Sequence, residues 1–261
     1  MSHDTHAHAH PNCPDVVIAP TARIGHDVRI GRFVVVESGA AISDGVVIGN
    51  HVTICEGSDI GAGTRIADFA FVGKRPALAK SSTAAANDVE LPGLVLGERC
   101  SIGSHTVLMA GSTFGDECVV GDNAGVRERC TIGERVVIGR SVTVENDTSI
   151  GARTRIQTGA YITAYVTIEE QVFIAPMVVT TNDNFMGRTE KRLALMKGCT
   201  IRRGARVGGG AHLLPGVEIG EEAFIATGAV VTRDIPPRMV ALGVPAKPIR
   251  EVPAEELLDN Q

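Results

Sequence analysis

Tryptophan is absent from this 261-residue chain, and the other aromatics are scarce, with 2 tyrosines and 7 phenylalanines. Aromatic rings normally fill much of a core, so this interior has to be built from small branched side chains in a regular array. There is also no apolar run approaching the roughly 18 to 20 residues that span a bilayer. The opening segment MSHDTHAHAHPNCP lacks the apolar stretch of a signal peptide, so a cytoplasmic location and no membrane partner are expected. Lysine and arginine form no block, and a net charge of -5 gives no electrostatic footprint for nucleic acid. Histidines do cluster at the start (His3, His6, His8 and His10, ahead of Cys13), but in a polar, Pro-containing terminus this reads as a disordered tail over residues 1–15 rather than a metal site.

What is abundant is glycine, with 30 residues, and Ile or Val at a fixed period. An apolar residue recurs at every sixth position from Ile18 to Val72, resumes in the same phase from Leu96 to Ile174, and closes in a shifted phase from Ile201 to Val231. A period of six fits neither a helix nor a plainly alternating strand. It predicts a short strand followed by a turn, repeated. Glycine commonly follows the apolar residue, as at Gly25, Gly49, Gly97 and Gly121, where a bend favours a residue without Cβ. Two positions before the apolar residue the side chain is small (Ala40, Ser58, Thr64, Ala124), which lets a narrow coil close. Cys100, Cys118, Cys130 and Cys199 share that position and read as small core side chains.

A longer period of 18 is also present. The residue after the apolar one is not glycine at Glu37, Cys55, Met109, Arg127, Glu145, Thr163 and Thr181, all separated by multiples of 18. One corner of each coil is therefore chemically distinct. Both interruptions of the repeat, residues 73–95 and 181–199, leave from it. Long loops in a repeat array usually carry function, so the active site is expected along this edge.

These hexads resemble those of the hexapeptide-repeat acyltransferase family. The resemblance implies an all-β fold, a left-handed parallel β-helix with three hexads per coil and about ten coils over residues 16–250, assembled as a homotrimer. Handedness comes from the family, since parallel crossovers are otherwise right-handed. Residues 251–261, containing PAEELL, read as a short C-terminal helix capping the stack.

The segment ARVGGGAHLLPGVEIGEEAFIATGAVVTRDIPPRMVALGVPAKPIRE resembles the cofactor end of sugar acetyltransferases of this fold. It implies acetyl-CoA as co-substrate, with close backbone approach at Gly209, Gly210, Ala211, Gly228 and Ala229 and phosphate contacts from Arg233, Lys247 and Arg250. Residues 172–192, VFIAPMVVTTNDNFMGRTEKR, resemble the acceptor loop of nucleotide-sugar N-acetyltransferases through Thr181-Asn182-Asp183 followed by Arg188. This implies a nucleotide-linked amino sugar as acceptor, with Asp183 and Asn182 at the chemistry. Arg188, Asn184, Gln157, Thr163 and Tyr165 would be acceptor contacts, with Tyr161 a lesser candidate. Arg127 and Glu145 are open to nucleotide contact or to salt bridges between subunits.

Galactoside and maltose O-acetyltransferases carry a His-Pro pair in the comparable loop, and no histidine occurs here. An alcohol attacking a thioester must lose its proton early, whereas a neutral amine is already nucleophilic. The acceptor atom is therefore expected to be nitrogen, held by Asp183. O-acyl transfer and transfer to an amino acid are the alternatives, followed by a non-catalytic or carbonic-anhydrase-like β-helix. No metal is expected, since His51 and His105 share a turn slot but lie three coils apart by count, too far for one ion at ~4.8 Å per coil. The turn containing His26 is similar to the catalytic turn of lipid A acyltransferases, yet it sits in the first coil, far from the cofactor end, and reads as a surface turn.

Overall fold

The computed structural model describes residues 8–10, 13–77 and 90–260. His3 and His6 of the expected tail lie outside the described residues. His8–His10 form a strand antiparallel to Cys13–Ile18. From there the chain visits three faces in turn, giving sheets of 12, 12 and 10 strands. Face A includes Val35–Val36, Tyr161–Ile162 and Val179–Thr180; face B includes Arg23–Ile24 and Thr200–Ile201; face C includes Arg29–Ile30 and Phe224–Ile225. The fold is the left-handed parallel β-helix of hexapeptide repeats. Ten coils carry a strand on every face, and an eleventh is completed by Val230–Val231, a bridge from Ile235 to Ile219 and Met239–Gly243, so the stack slightly exceeds the expected count. Among the described residues no helix is long and apolar enough to cross a membrane.

The hexad works by stacking like on like. Apolar residues in register, such as Ile138 over Ile156 and Ile156 over Ile174, point inward and are buried. The strand amide at Val137 donates to the carbonyl of Thr154 one coil on at 2.9 Å, and this pattern repeats along the stack. The small position also points inward, and Cys100, Cys118, Cys130 and Cys199 are buried there as free thiols.

Glycine after the apolar residue has a different cause from the bend expected. The left-handed backbone falls two residues later, for example at Asp27 (φ 56) and Asn123 (φ 57). What demands glycine is the neighbouring coil: a Cβ on Gly121 would meet the backbone of Arg140 at 2.7 Å and Gly139 at 2.9 Å. Gly121→Ala should therefore destabilise by about 1–3 kcal/mol through overpacking. Gly125, whose Cβ would meet nothing within 4 Å, is the control. Denaturant midpoints of the two variants should separate clearly, and equal midpoints would remove this explanation. The turn amides left open are capped across coils, as where His26 N donates to Asp44 Oδ1 at 2.7 Å and Ser104 N to Asp122 Oδ1 at 2.9 Å.

One correction follows from the stacking. The first loop takes the place of a whole coil, so Phe71–Lys74 pairs directly with Val107–Met109. His51 and His105 are consequently two coils apart, with Phe69 stacked between them at 4.8 Å from each. Phe33 extends this ladder at 4.7 Å from His51. A hairpin, Met239–Gly243 with Ala246–Glu251, leads into the terminal segment, whose expected short helix is formed as two 3-10 turns, Ala254–Glu256 and Leu258–Asn260. The tail is tied to the B–C corner, where Arg206 pairs with Glu256 at 2.6 Å and Leu258 N donates to Glu222 Oε2 at 2.8 Å.

Candidate functional site

The distinct corner lies between faces A and B, and both loops depart from it. Glu37, Cys55, Met109, Arg127, Glu145, Thr163 and Thr181 stand at the ends of face A strands there, with Phe71–Lys74 lying between the strands of Cys55 and Met109. Under the first loop, Gly39, Gly57 and Gly93 floor a shallow groove of about 510 Å³ walled by Arg75, Glu56 and Glu90. Arg75 donates to the Leu91 carbonyl at 2.7 Å and so holds the loop's return.

The second loop contains a short helix, Lys191–Leu195. Asp183 organises it: Oδ1 accepts from Phe185 N at 2.8 Å, Oδ2 from Gly187 N at 2.9 Å, and Arg192 lies 3.5 Å away. The Gly187 and Phe185 amides, assisted by Arg192, hold its carboxyl below the usual range. A carboxylate so engaged is a weak base. Asn182 anchors the loop at both ends, donating from Nδ2 to the Ala164 carbonyl at 3.4 Å and accepting at its carbonyl from Lys197 N at 3.0 Å. Asn184 and Arg188 are exposed on the loop surface.

Coils six to eight fill the corner beside this loop. Glu128, 1% exposed, receives Arg127 Nη2 at 2.8 Å and Nε at 3.1 Å. The third guanidinium nitrogen of Arg127 reaches Glu145 Oε2 at 2.9 Å. Arg129 grips Asp147 with two bonds of 2.7 and 2.8 Å, which keep that carboxyl below its ordinary range. Thr163 is buried, and its amide donates to Thr180 Oγ1 at 2.8 Å. Tyr161 and Tyr165 stand on either side of it, 39% and 41% exposed. Burial, then the charge of Glu145, pushes the Tyr161 phenol up, and that hydroxyl interacts with the Thr163 and Glu145 side chains. Glu128 and the prominence of Tyr161 were not signalled by the sequence.

The remaining site residues lie elsewhere. Gln157 follows a face C strand and occupies the C–A corner, apart from Thr163 and Tyr165. It shares that edge with Gly209, Gly210 and Gly228; a Cβ on either of the last two would meet open space. Ala211 and Ala229 are 0% and 1% exposed, because the small position of the hexad points into the core. They cannot touch a ligand with their side chains, which corrects the sequence expectation. Arg233 is exposed near the end of the A–B corner, while Lys247 and Arg250 are exposed on the terminal hairpin of face C. Thus the three cations share one end of the stack but not one corner. His212, the only histidine after residue 105, is exposed on face A in register with Val179 and Val230. Among the described residues no cluster of possible metal ligands occurs.

Comparison with known proteins agrees with this frame. Residues 111–146 and 198–233 match the bacterial transferase hexapeptide (six repeats), and residues 93–126 and 129–164 match the hexapeptide repeat of succinyl-transferase. The galactoside O-acetyltransferase of Escherichia coli is 41% identical over 90 residues, which are 33% of this chain and 44% of that one. The serine acetyltransferase of Buchnera aphidicola is 34% identical over 99 residues, 38% of this chain and 34% of that one. The chain spans less than half the length of these curated relatives. In structure, Arabidopsis UDP-N-acetylglucosamine acyltransferase superposes over 95% of this chain and 76% of its own with a TM-score of 0.51 at 21% identity, a likeness of fold. The repeat, its registered stacking and these matches together show that this β-solenoid carries domains of the hexapeptide-repeat acyltransferase kind over residues 93–164 and 198–233.

Proposed function

We propose that the protein is an acyl-CoA-dependent acyltransferase that acetylates the amino group of a nucleotide-linked sugar, acting in the cytoplasm as a homotrimer. The observation that carries the choice of acceptor is the second loop. It has no histidine, and its one well-placed carboxylate, Asp183, is already committed to two amides and an arginine. Such a loop suits a nucleophile that needs little help losing a proton, which a sugar amine is and a hydroxyl is not. In the transfer a C–N bond forms, the thioester C–S bond breaks, and the departing thiolate takes up a proton lost by nitrogen. Release of free thiol from acetyl-CoA, screened over amino-sugar nucleotides, sugar alcohols and amino acids, tests this reading. Release with the amino-sugar nucleotides is expected. Transfer to a hydroxyl sugar but not to its amino analogue would sink it, and monomers at full activity in light scattering would remove the trimer.

The C–A corner is the proposed cofactor edge, with Gly209, Gly210 and Gly228 admitting the pantetheine arm to the backbone and Arg233, Lys247 or Arg250 supplying phosphate contacts. Gly228→Met tests it cleanly. The same left-handed slot already holds Met177 (φ 61), and Gly228 (φ 71) has open space above it, so the variant should fold. Its KM for acetyl-CoA should rise by about 10-fold or more, equivalent to ~1.4 kcal/mol of lost binding, with little change for the sugar. An unchanged KM for acetyl-CoA would move the cofactor elsewhere.

A further inference from the structure

We propose that face A is the surface through which copies of this chain associate, its outward column turned to an axis shared with the same column of the other copies. This rests on the reading of the protein as a homotrimer and names the face that such an assembly buries. On every face the residue before the inward apolar one points outward, and the register stacks these residues into a column. The face A column runs from Val17 to Val230, with Val35, Phe71, Val107 and Val179 among its members, and contains no Asp, Glu, Lys or Arg. His212 is its one imidazole. Face B carries Arg23, Asp59 and Glu218 in the same position. Face C carries Arg29, Arg65, Arg155 and Arg206 there, and no acid in its parallel strands.

Cyclic symmetry makes these differences decisive. When parallel copies turn one face to a common axis, each outward residue meets the same residue of its neighbours. Face C would set arginine against arginine, and face B would set Asp59 against Asp59 and Glu218 against Glu218. Like charges so placed disfavour an arrangement strongly. Face A alone sets no carboxylate, ammonium or guanidinium against its own kind.

The cross-section of the prism is polarised in the same sense. The corner opposite face A, between B and C, carries a line of exposed ion pairs: Arg135 with Glu117 at 2.9 Å, Arg153 with Glu134 at 3.3 Å and Arg203 with Glu221 at 3.0 Å. Pairs of this kind gain little from leaving water, so one edge suits solvent and the face across from it suits burial. Eleven of the twelve face A strands are parallel, His8–His10 being the antiparallel one. At ~4.8 Å per strand they make a strip about 50 Å long and about 15 Å wide. Its area, on the order of 750 Å², approaches the ~800 Å² that each partner gives to a standard interface and exceeds the apolar patch a monomer commonly exposes.

The stack supplies matched probes. Thr143 and Thr131 are outward threonines on faces A and B, and Val107 and Val119 are outward valines on faces A and C. Size-exclusion light scattering at one protein concentration reads the assembly, and circular dichroism checks that each variant is folded. Wild type should be a trimer. Thr143→Arg and Val107→Arg should dissociate, with the midpoint concentration for assembly raised about 10²-fold or more, whereas Thr131→Arg and Val119→Arg should stay trimeric. Mixing Thr143→Arg with Thr143→Glu should restore assembly, which a folding defect would not allow, because position 143 of one copy then meets the opposite charge on the next. Trimers that persist in both face A variants, equal dissociation in Thr131→Arg or Val119→Arg, or mixed Thr143 variants that stay monomeric each overturn this interface and leave the trimer standing. A monomeric wild type would remove the homotrimer reading itself.

Discussion

Arg127→Ala is expected to lower the unfolding free energy by about 3–5 kcal/mol, because it strands a buried carboxylate. Glu128 is 1% exposed and takes two of its hydrogen bonds from Arg127, while its other cation, Arg129, stands 3.8 Å away and is committed to Asp147. Removing the charge at both positions should behave differently. Arg127→Met combined with Glu128→Leu should recover most of the loss, since an apolar pair of similar bulk requires no desolvated ion. Denaturant unfolding of the single and double variants at one fixed protein concentration measures both, and the concentration has to be matched because assembly adds to apparent stability. A single variant within ~0.5 kcal/mol of wild type would mean that water or Arg129 satisfies Glu128, and the corner would then be far less rigid than its hydrogen bonds imply.

Most of the architecture was legible in the sequence because the repeat reports a backbone property. Ile138, Ile156 and Ile174 must stack in register, so their spacing reads directly as coil geometry. The distinct A–B corner was legible for the same reason, through the scarcity of glycine from Glu37 to Thr181, where Gly73 alone follows the apolar residue. What failed to show was anything that depends on which coil lies next to which. The first loop consumes eighteen positions without making a coil, so arithmetic placed His51 and His105 one coil too far apart and hid the Phe33–His51–Phe69–His105 ladder. Ala211 and Ala229 looked like points of close approach because they are small beside glycines. Their register turns them into the core instead. Gln157 and Thr163 are neighbours in sequence but occupy different corners, as a six-residue step rotates the chain by one face. Glu128 was invisible because a charged residue in a turn is normally solvated, and only the clamp from Arg127 explains its burial.

For Asp183 the expected outcome is a loss that follows the order of the loop rather than the titration of a base. Its two oxygens accept the Phe185 and Gly187 amides, so Asp183→Ala should release the segment from Asn182 to Arg188 and cost about 10²-fold in kcat/KM through misplacement of the acceptor. Asp183→Asn keeps one oxygen for an amide and should cost far less, about 10-fold. The pH profile separates this from general base catalysis. The Gly187 and Phe185 amides, with Arg192, lower the carboxyl's pKa, so the loop's order is complete above the ordinary carboxylate range near ~3.9 and is lost only as pH falls through the lowered value. No ionisation from Asp183 should therefore appear near neutral pH, and Asp183→Asn should scale the wild-type profile without changing its shape. An ionisation that persists in Asp183→Asn would belong to a group other than this carboxylate. A loss of 10² to 10⁴ in Asp183→Asn, together with the disappearance of an ionisation from the profile, would restore Asp183 as the base. Wild-type kinetics in Asp183→Ala would show instead that the acceptor does not need this loop in order.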